Sequence, residues 1–267
     1  MNARRLGWSI AILLCAVGVV SMGGCEKPPP PYGQEISLNM PGGAAQVWAV
    51  APAVNLSGVR VDELLQADLI YGQLQQVRGL EVIPVNRVVE VYEGLGIAKV
   101  ESAGQAALVC DLLGCDALLV PSVTAYDPYD PPKLGAGLQL FRKPRGYTRD
   151  PNVDVRQLAR SLAPARQKPS ELPIGPGPAD DTASTGDEPI GPDGAIPSST
   201  TLQAVGMFDA ANGSVRDAVN YYAIGRHDPT GPLGSREYLL DMDRYCGFAY
   251  WSLTVDLLST MRHATPS

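Results

Sequence analysis

The sequence predicts an α/β (α+β) fold: a mixed sheet in the order β-α-β-α-α-β-β…β-β-α, with helices packed on it and a long C-terminal helix. Three observations carry this. Short, continuous apolar runs recur at VWAVAP, LEVIPV and DALLVPSV, the pattern of strands buried on both faces. Segments of helical period separate them, and parallel strands need a connection of that length. The last 30 or so residues carry a wide apolar stripe at helical spacing.

Residues 1–5 form a positive n-region with Arg4 and Arg5, residues 6–20 an apolar run, and Ser21-Met22-Gly23-Gly24 a small-residue exit. This is the layout of a secretory signal peptide, too short to be a comfortable membrane span. Met22-Gly23-Gly24-Cys25 resembles the bacterial lipobox, which implies cleavage after residue 24 and a diacylglycerol-type lipid on Cys25. An ordinary signal peptide with a chance cysteine and an uncleaved anchor are the rival readings. Residues 25–45 (CEKPPPPYGQEISLNMPGGAA) continue as a Pro-rich linker, four prolines favouring an extended polyproline stem.

The chain has 267 residues and a net charge of −7, and loss of Arg4 and Arg5 makes the remainder more acidic still. One domain with extras is the expected size. The acidic balance argues against a nucleic-acid partner and against electrostatic adhesion to anionic lipid. Membrane attachment is therefore expected through the N-terminal lipid. After Cys15 and Cys25, three cysteines remain, Cys110, Cys115 and Cys246. The pair Cys110–Cys115 could close a small loop, although burial as small hydrophobes is the favoured reading.

Along the chain, residues 46–52 read as a strand and 59–77 as a helix, with Asp62 and Glu63 in its first turn. Residues 80–85 form a second strand. A helix over 87–95 is capped by Asn86 and closed at Gly94 and Gly96. Ser102 caps a third helix, 103–113, stopped by Gly114, and 115–126 is a long strand. After the turn Asp127-Pro128-Tyr129-Asp130-Pro131-Pro132, residues 134–141 are expected to pair antiparallel with that strand and to form an open edge of the sheet. Residues 143–200 read as a largely disordered insertion, with a short helix over 153–162, because Pro, Gly, Asp and Ser dominate from 164 onward. Residues 202–208 and 214–223 read as a hairpin around Asn212-Gly213. A single helix from 235 to about 261 closes a domain made of 46–142 and 201–262.

VWAVAPAVNLSG (47–58), LEVIPVNRV (80–88), LVCDLLGCDALLVPSV (108–123) and the Asp209-to-Gly213 turn together resemble an envelope family. Its members share the small α/β fold of the amino-terminal domain of the Tol-system propeller protein. The curli-secretion lipoprotein and the lipoprotein activators of peptidoglycan synthases are relatives. The resemblance covers residues 46–142 and 201–258 and implies a fold and an envelope setting, since its motifs carry no catalytic group. Pore-forming relatives need long alternating strands. The insertion here is Pro- and Gly-rich instead, which argues against a channel.

Chemistry has few candidates. His227 and His263 stand apart from any second ligand at zinc spacing. No nucleophile elbow or Walker A motif is present, and Gly94-Leu95-Gly96 follows a helix rather than a strand. Asp127 and Asp130 are better explained as turn formers than as a carboxylate pair. Cys246 and the group Tyr245, Phe248, Tyr250 and Trp251 read as core packing. No enzyme activity, cofactor or metal is expected. The candidate partner-binding residues are Tyr126 and Tyr129 at the rigid turn, with Leu138 and Leu140 on the supposed edge strand, where a partner could add a strand.

The reading is of a non-enzymatic envelope lipoprotein acting as a scaffold, activator or assembly factor for an envelope protein, with homo-oligomerisation open. It would face the periplasm, with the outer membrane favoured over the inner because Glu26 rather than Asp follows Cys25. A secretion-channel subunit is the alternative, and a hydrolase a weaker one. Radiolabelled palmitate is expected to enter the wild-type chain and not Cys25→Ser. Equal labelling of both would refute the lipid site.

Overall fold

The computed structural model describes residues 38–164, 201–226 and 231–264. In chain order the elements are β1 (Leu38–Asn39), β2 (Gln46–Val50), β3 (Val54–Asn55), α1 (Glu63–Leu74), β4 (Val77–Arg78), β5 (Leu80–Ile83), α2 (Val85–Leu95), α3 (Ala103–Leu113), β6 (Ala117–Asp127), β7 (Lys133–Arg142), α4 (Val155–Ser161), β8 (Thr201–Asp209), α5 (Gly213–Ala223), α6 (Glu237–Leu240) and α7 (Met242–Ala264). The main sheet runs β5-β2-β6-β7-β8, with β3 continuing beside β6. β2, β3, β5 and β6 are parallel, and β7 and β8 are antiparallel additions. β1 and β4 form a separate parallel pair. The mixed α/β class and the long C-terminal helix expected from the sequence are both present.

Two helical layers sandwich the sheet, and strand alternation divides the core between them. On one face, Trp48, Val50, Leu119, Leu134, Ala136, Leu138 and Leu140 pack with Ile70 and Leu74 of α1 and with Phe248, Leu253 and Leu257 of α7. On the other, Ala49, Leu118 and Val120 pack with Val88 and Tyr92 of α2, Leu108 and Val109 of α3, and Ala159 of α4. Inside the first cluster lies a small polar knot. The Tyr250 hydroxyl donates to Gln66 Oε1 at 2.6 Å, which satisfies two groups that would be costly to bury alone.

The motifs behind the family resemblance prove to be local hydrogen-bonding devices. Asp116 Oδ2 accepts from Val47 N at 2.8 Å, and Asp116 N donates to Val47 O at 2.8 Å, locking the start of β2 against β6. Asn55 Oδ1 accepts from Ser57 N at 3.0 Å while Asn55 Nδ2 donates to Val59 O at 2.7 Å. Asp209 Oδ1 accepts from Ala211 N at 2.9 Å. Ser102 caps α3 by accepting from Gln105 N at 3.1 Å, and Gly114 closes that helix at φ 70, the left-handed geometry that glycine tolerates.

Several expectations are corrected. Residues 214–223 are helix α5, not the second strand of a hairpin. Asn212 Oδ1 accepts from Ser214 N at 3.0 Å, so the Asn-Gly pair starts a helix, and Val215, Val219 and Tyr222 supply its apolar face at helical spacing. The C-terminal helix is interrupted at Asp241, which leaves helical geometry and caps α7 by accepting from Asp243 N at 2.9 Å. Helix α2 begins at Val85 after Pro84, without a side-chain cap, so Asn86 lies inside it. The buried side of α1 is Gln66, Ala67, Ile70 and Leu74, while Leu64 and Leu65 are exposed.

Residues 143–164 belong to the packed body rather than to an insertion. Gln105 Nε2 donates to Ala159 O at 2.9 Å, Ser102 Oγ to Leu162 O at 2.6 Å and Arg156 Nε to Gly94 O at 2.7 Å. The expected disorder of the remaining insertion, 165–200, lies outside the described residues.

The strand at 134–141 is not an edge. β7 lies between β6 and β8, and Leu138 and Leu140 are completely buried. Leu138→Ala should therefore lower unfolding free energy by about 2–5 kcal/mol in a denaturant titration, whereas Val205→Thr on β8 should change it by less than about 1 kcal/mol. Equal small effects would contradict the assignment of Leu138 to the core.

Candidate protein-binding surface

Helices α2, α3 and α4 cover only part of their side of the sheet. They end over Val120 and Phe141, and the face beyond them is uncovered among the described residues. Register places three rows of side chains there: Val120, Gln139 and Gln203; Ser122, Gly137 and Val205; then Gly135 with Met207 beside the bulge at Thr124. Val205 and Met207 remain 62% and 59% exposed.

Glycine shapes this floor. A Cβ at Gly135 would lie 2.6 Å from Thr124 Oγ1 and 3.0 Å from Met207 Cε, and one at Gly137 would lie 3.0 Å from Ser122 Oγ. The missing side chains let neighbours from both flanking strands lean across the β7 backbone. Leu138 and its row on the opposite side are large and apolar because α7 packs there.

Where the open face meets the helical layer, a groove of about 590 Å³ forms. Its sheet side holds Ser122, Gly137, Gln139 and Gln203. Its rim holds Val54, Leu56, Lys99, Val100, Glu101 and Pro164. Leu56 is 61% exposed, held out by the turn that Asn55 organises. The groove carries amide, hydroxyl and apolar groups, and its two charges, Lys99 and Glu101, oppose one another in sign. This is the composition of a surface suited to a polypeptide, with backbone-like donors and acceptors beside apolar contacts.

A second cavity of about 420 Å³ at the other end of the sheet is lined by Gln46, Asp116, Arg142, Lys143, Arg145 and Tyr147. Asp111 accepts from Lys143 Nζ at 2.8 Å there, which offsets part of its positive charge.

The residues singled out from the sequence do not converge on the open face. Tyr126 packs on the α7 side, where burial first, then the nearby Cys246 and Asp243, raises its phenol pKa. Tyr129 is 79% exposed at the β6–β7 turn, whose Asp127 Oδ1 accepts from Tyr129 N at 3.2 Å. Asp127 is thus used in the turn, as expected. Leu138 and Leu140 point into the core. Cys25 and His227 lie outside the described residues. His263 sits in the last turn of α7, and no group of three His, Cys, Asp or Glu among the described residues could hold a metal ion.

The three thiols are buried, and the hydrogen bond from Cys110 holds Cys115 below its usual range. Cys110 and Cys115 are both free. A hydrogen bond to Cys115 and burial push the Cys110 thiol upward. Burial raises Cys246 to about 12, with Asp243 adding to the effect. A thiol held so far above its usual range carries no reactive thiolate.

The residues that matter on the open face, Leu56, Ser122, Gly137, Gln203, Val205 and Met207, were not singled out by sequence reasoning. One signal was available. In LGAGLQLF, Leu134, Ala136, Leu138 and Leu140 occupy every second position with Gly135, Gly137 and Gln139 between them, the mark of a strand with one face packed and one face open.

No family model and no curated protein matches the chain. Solved structures similar to it include bacterial lipoproteins. Lipoprotein GNA1162 from Neisseria meningitidis is 20% identical, with a TM-score of 0.32 over 38% of this chain and 72% of that one. The LpoB C-terminal domain from Salmonella enterica is 14% identical, with a TM-score of 0.33 over 39% and 76%. The PelC dodecamer from Paraburkholderia phytofirmans is 14% identical, with a TM-score of 0.25 over 46% and 86%. At scores this low, none of these likenesses carries weight for the fold or the function of this chain.

Proposed function

We propose that this chain is a non-enzymatic envelope lipoprotein that binds another envelope protein, as a scaffold, activator or assembly factor, through the uncovered face of its sheet. The observation that carries the reading is the groove that runs from Leu56, more than half exposed at its rim, to Gln203, with Val205 and Met207 more than half exposed further along β8. Singly exposed apolar residues are ordinary, whereas several around one mixed groove mark an interaction surface. Covering the remaining apolar area would contribute roughly 1 kcal/mol per side chain, a modest affinity that suits a partner held on the same membrane.

The lipid on Cys25 and the Pro-rich stem after it supply that co-localisation. Glu26 favours the outer membrane over the inner, and the domain faces the periplasm. Tyr129 adds a second contact at the far end of the β6–β7 hairpin.

A photo-crosslinking residue placed at Leu56 in cells should yield one discrete adduct with a second protein. The same residue at Leu64, 51% exposed on α1, should not. Equal adducts from both positions, or none from Leu56, would contradict the reading. Purified chain should give no conductance in planar bilayers, which separates this reading from the secretion-channel alternative.

A further inference from the structure

The main sheet ends on one side in β5, four residues long and carrying Glu81, and on the other in β8, nine residues long. Among the described residues β8 pairs with β7 alone. Natural edge strands are normally blunted by short length, Lys, Pro or a bulge. β8 reads Thr-Leu-Gln-Ala-Val-Gly-Met-Phe-Asp and has none of these. Its one charge, Asp209, stands at its end and is neutralised by Lys133 Nζ at 2.7 Å.

The strand is also self-complementary. Turned antiparallel on a copy of itself with Val205 at the centre, all nine residues find a partner. Val205 meets Val205, Gln203 meets Met207, and Thr201 meets the neutralised Asp209. On the core side Leu202 meets Phe208 and Ala204 meets Gly206, so large faces large and small faces small. Two molecules of net charge −7 would repel at most surfaces, yet they could meet along this uncharged seam.

We propose that β8 pairs with β8 of a second copy of this chain, antiparallel, on a two-fold axis at Val205. Such a contact is isologous and closes at two copies. It would join the two main sheets into one and run their open faces together. The pairing stands apart from the partner reading above, because it is tested on purified chain with no other protein present.

The test uses the full chain in mild detergent, with Cys15 and Cys25 changed to Ser. Val205→Cys lies on the axis, where paired Cβ atoms are about 4.5–5.5 Å apart, and should oxidise to a disulfide-linked dimer. Leu64→Cys, exposed on α1, should not. A mixture of Gln203→Cys and Met207→Cys chains should crosslink, while neither does so alone, which reports the register. In sedimentation equilibrium Val205→Lys should raise the dimer dissociation constant at least about tenfold by setting like charges opposite each other, with an unchanged circular dichroism spectrum. A wild-type chain that sediments as a monomer would overturn the proposal. So would Val205→Cys crosslinking no faster than Leu64→Cys, or Gln203→Cys crosslinking alone as well as in the mixture.

Discussion

Helix α7 lies across β7 and β8, and the packing of Phe248, Leu253 and Leu257 against Leu134, Ala136, Leu138 and Leu140 gives those strands their sidedness. A sheet has only two faces, and side chains alternate between them. Once the large residues of β7 are committed to α7, Gly135, Gly137 and Gln139 must look the other way. Slipping the register by one residue would bury Gln139 and expose Leu138, a change no other contact could offset. The open face and its groove are consequences of how tightly the opposite face is filled. The aromatic group of α7 strengthens this side. Phe248 meets Phe208 edge-on at 5.7 Å between ring centroids, which ties the edge strand to the helix.

The parallel half of the fold was legible because local and global signals agree there. Ser102 and Gly114 bracket α3, Gly96 ends α2 in left-handed geometry, and the apolar runs of β2 and β6 are buried on both faces. Helix α5 was misread because Asn212-Gly213 serves equally to turn a hairpin or to start a helix. The spacing of Val215, Val219 and Tyr222 decides between them, and it is a weaker signal over 11 residues than an Asn-Gly pair. The order of strands beside β6 was the hardest part. β8 joins β7 after 58 intervening residues, and nothing local to 134–141 announces that this strand will be covered. Placing the edge at β7 rather than at β8 then misdirected the choice of Leu138 and Leu140, while Tyr126 turned inward on the same side.

In this protein desolvation pushes the phenol of Tyr250 and the thiol of Cys246 upward, which keeps them neutral and makes them packing elements. Its motifs stitch turns to strands. Among the described residues the fold leaves open the edge of β8, the exposed Val205 and Met207 on it, and a mixed groove that reaches from Leu56 and residues 99–101 to Gln203. The proposed partner and the proposed second copy would both draw on this surface.

Radical footprinting of methionine side chains tests that claim most directly. In dilute purified chain, Met207 should oxidise quickly while Met261, on the buried face of α7, stays protected. In intact cells Met207 should become protected as well, because its face is occupied. Met207 oxidising as fast in cells as in the isolated chain would contradict the account.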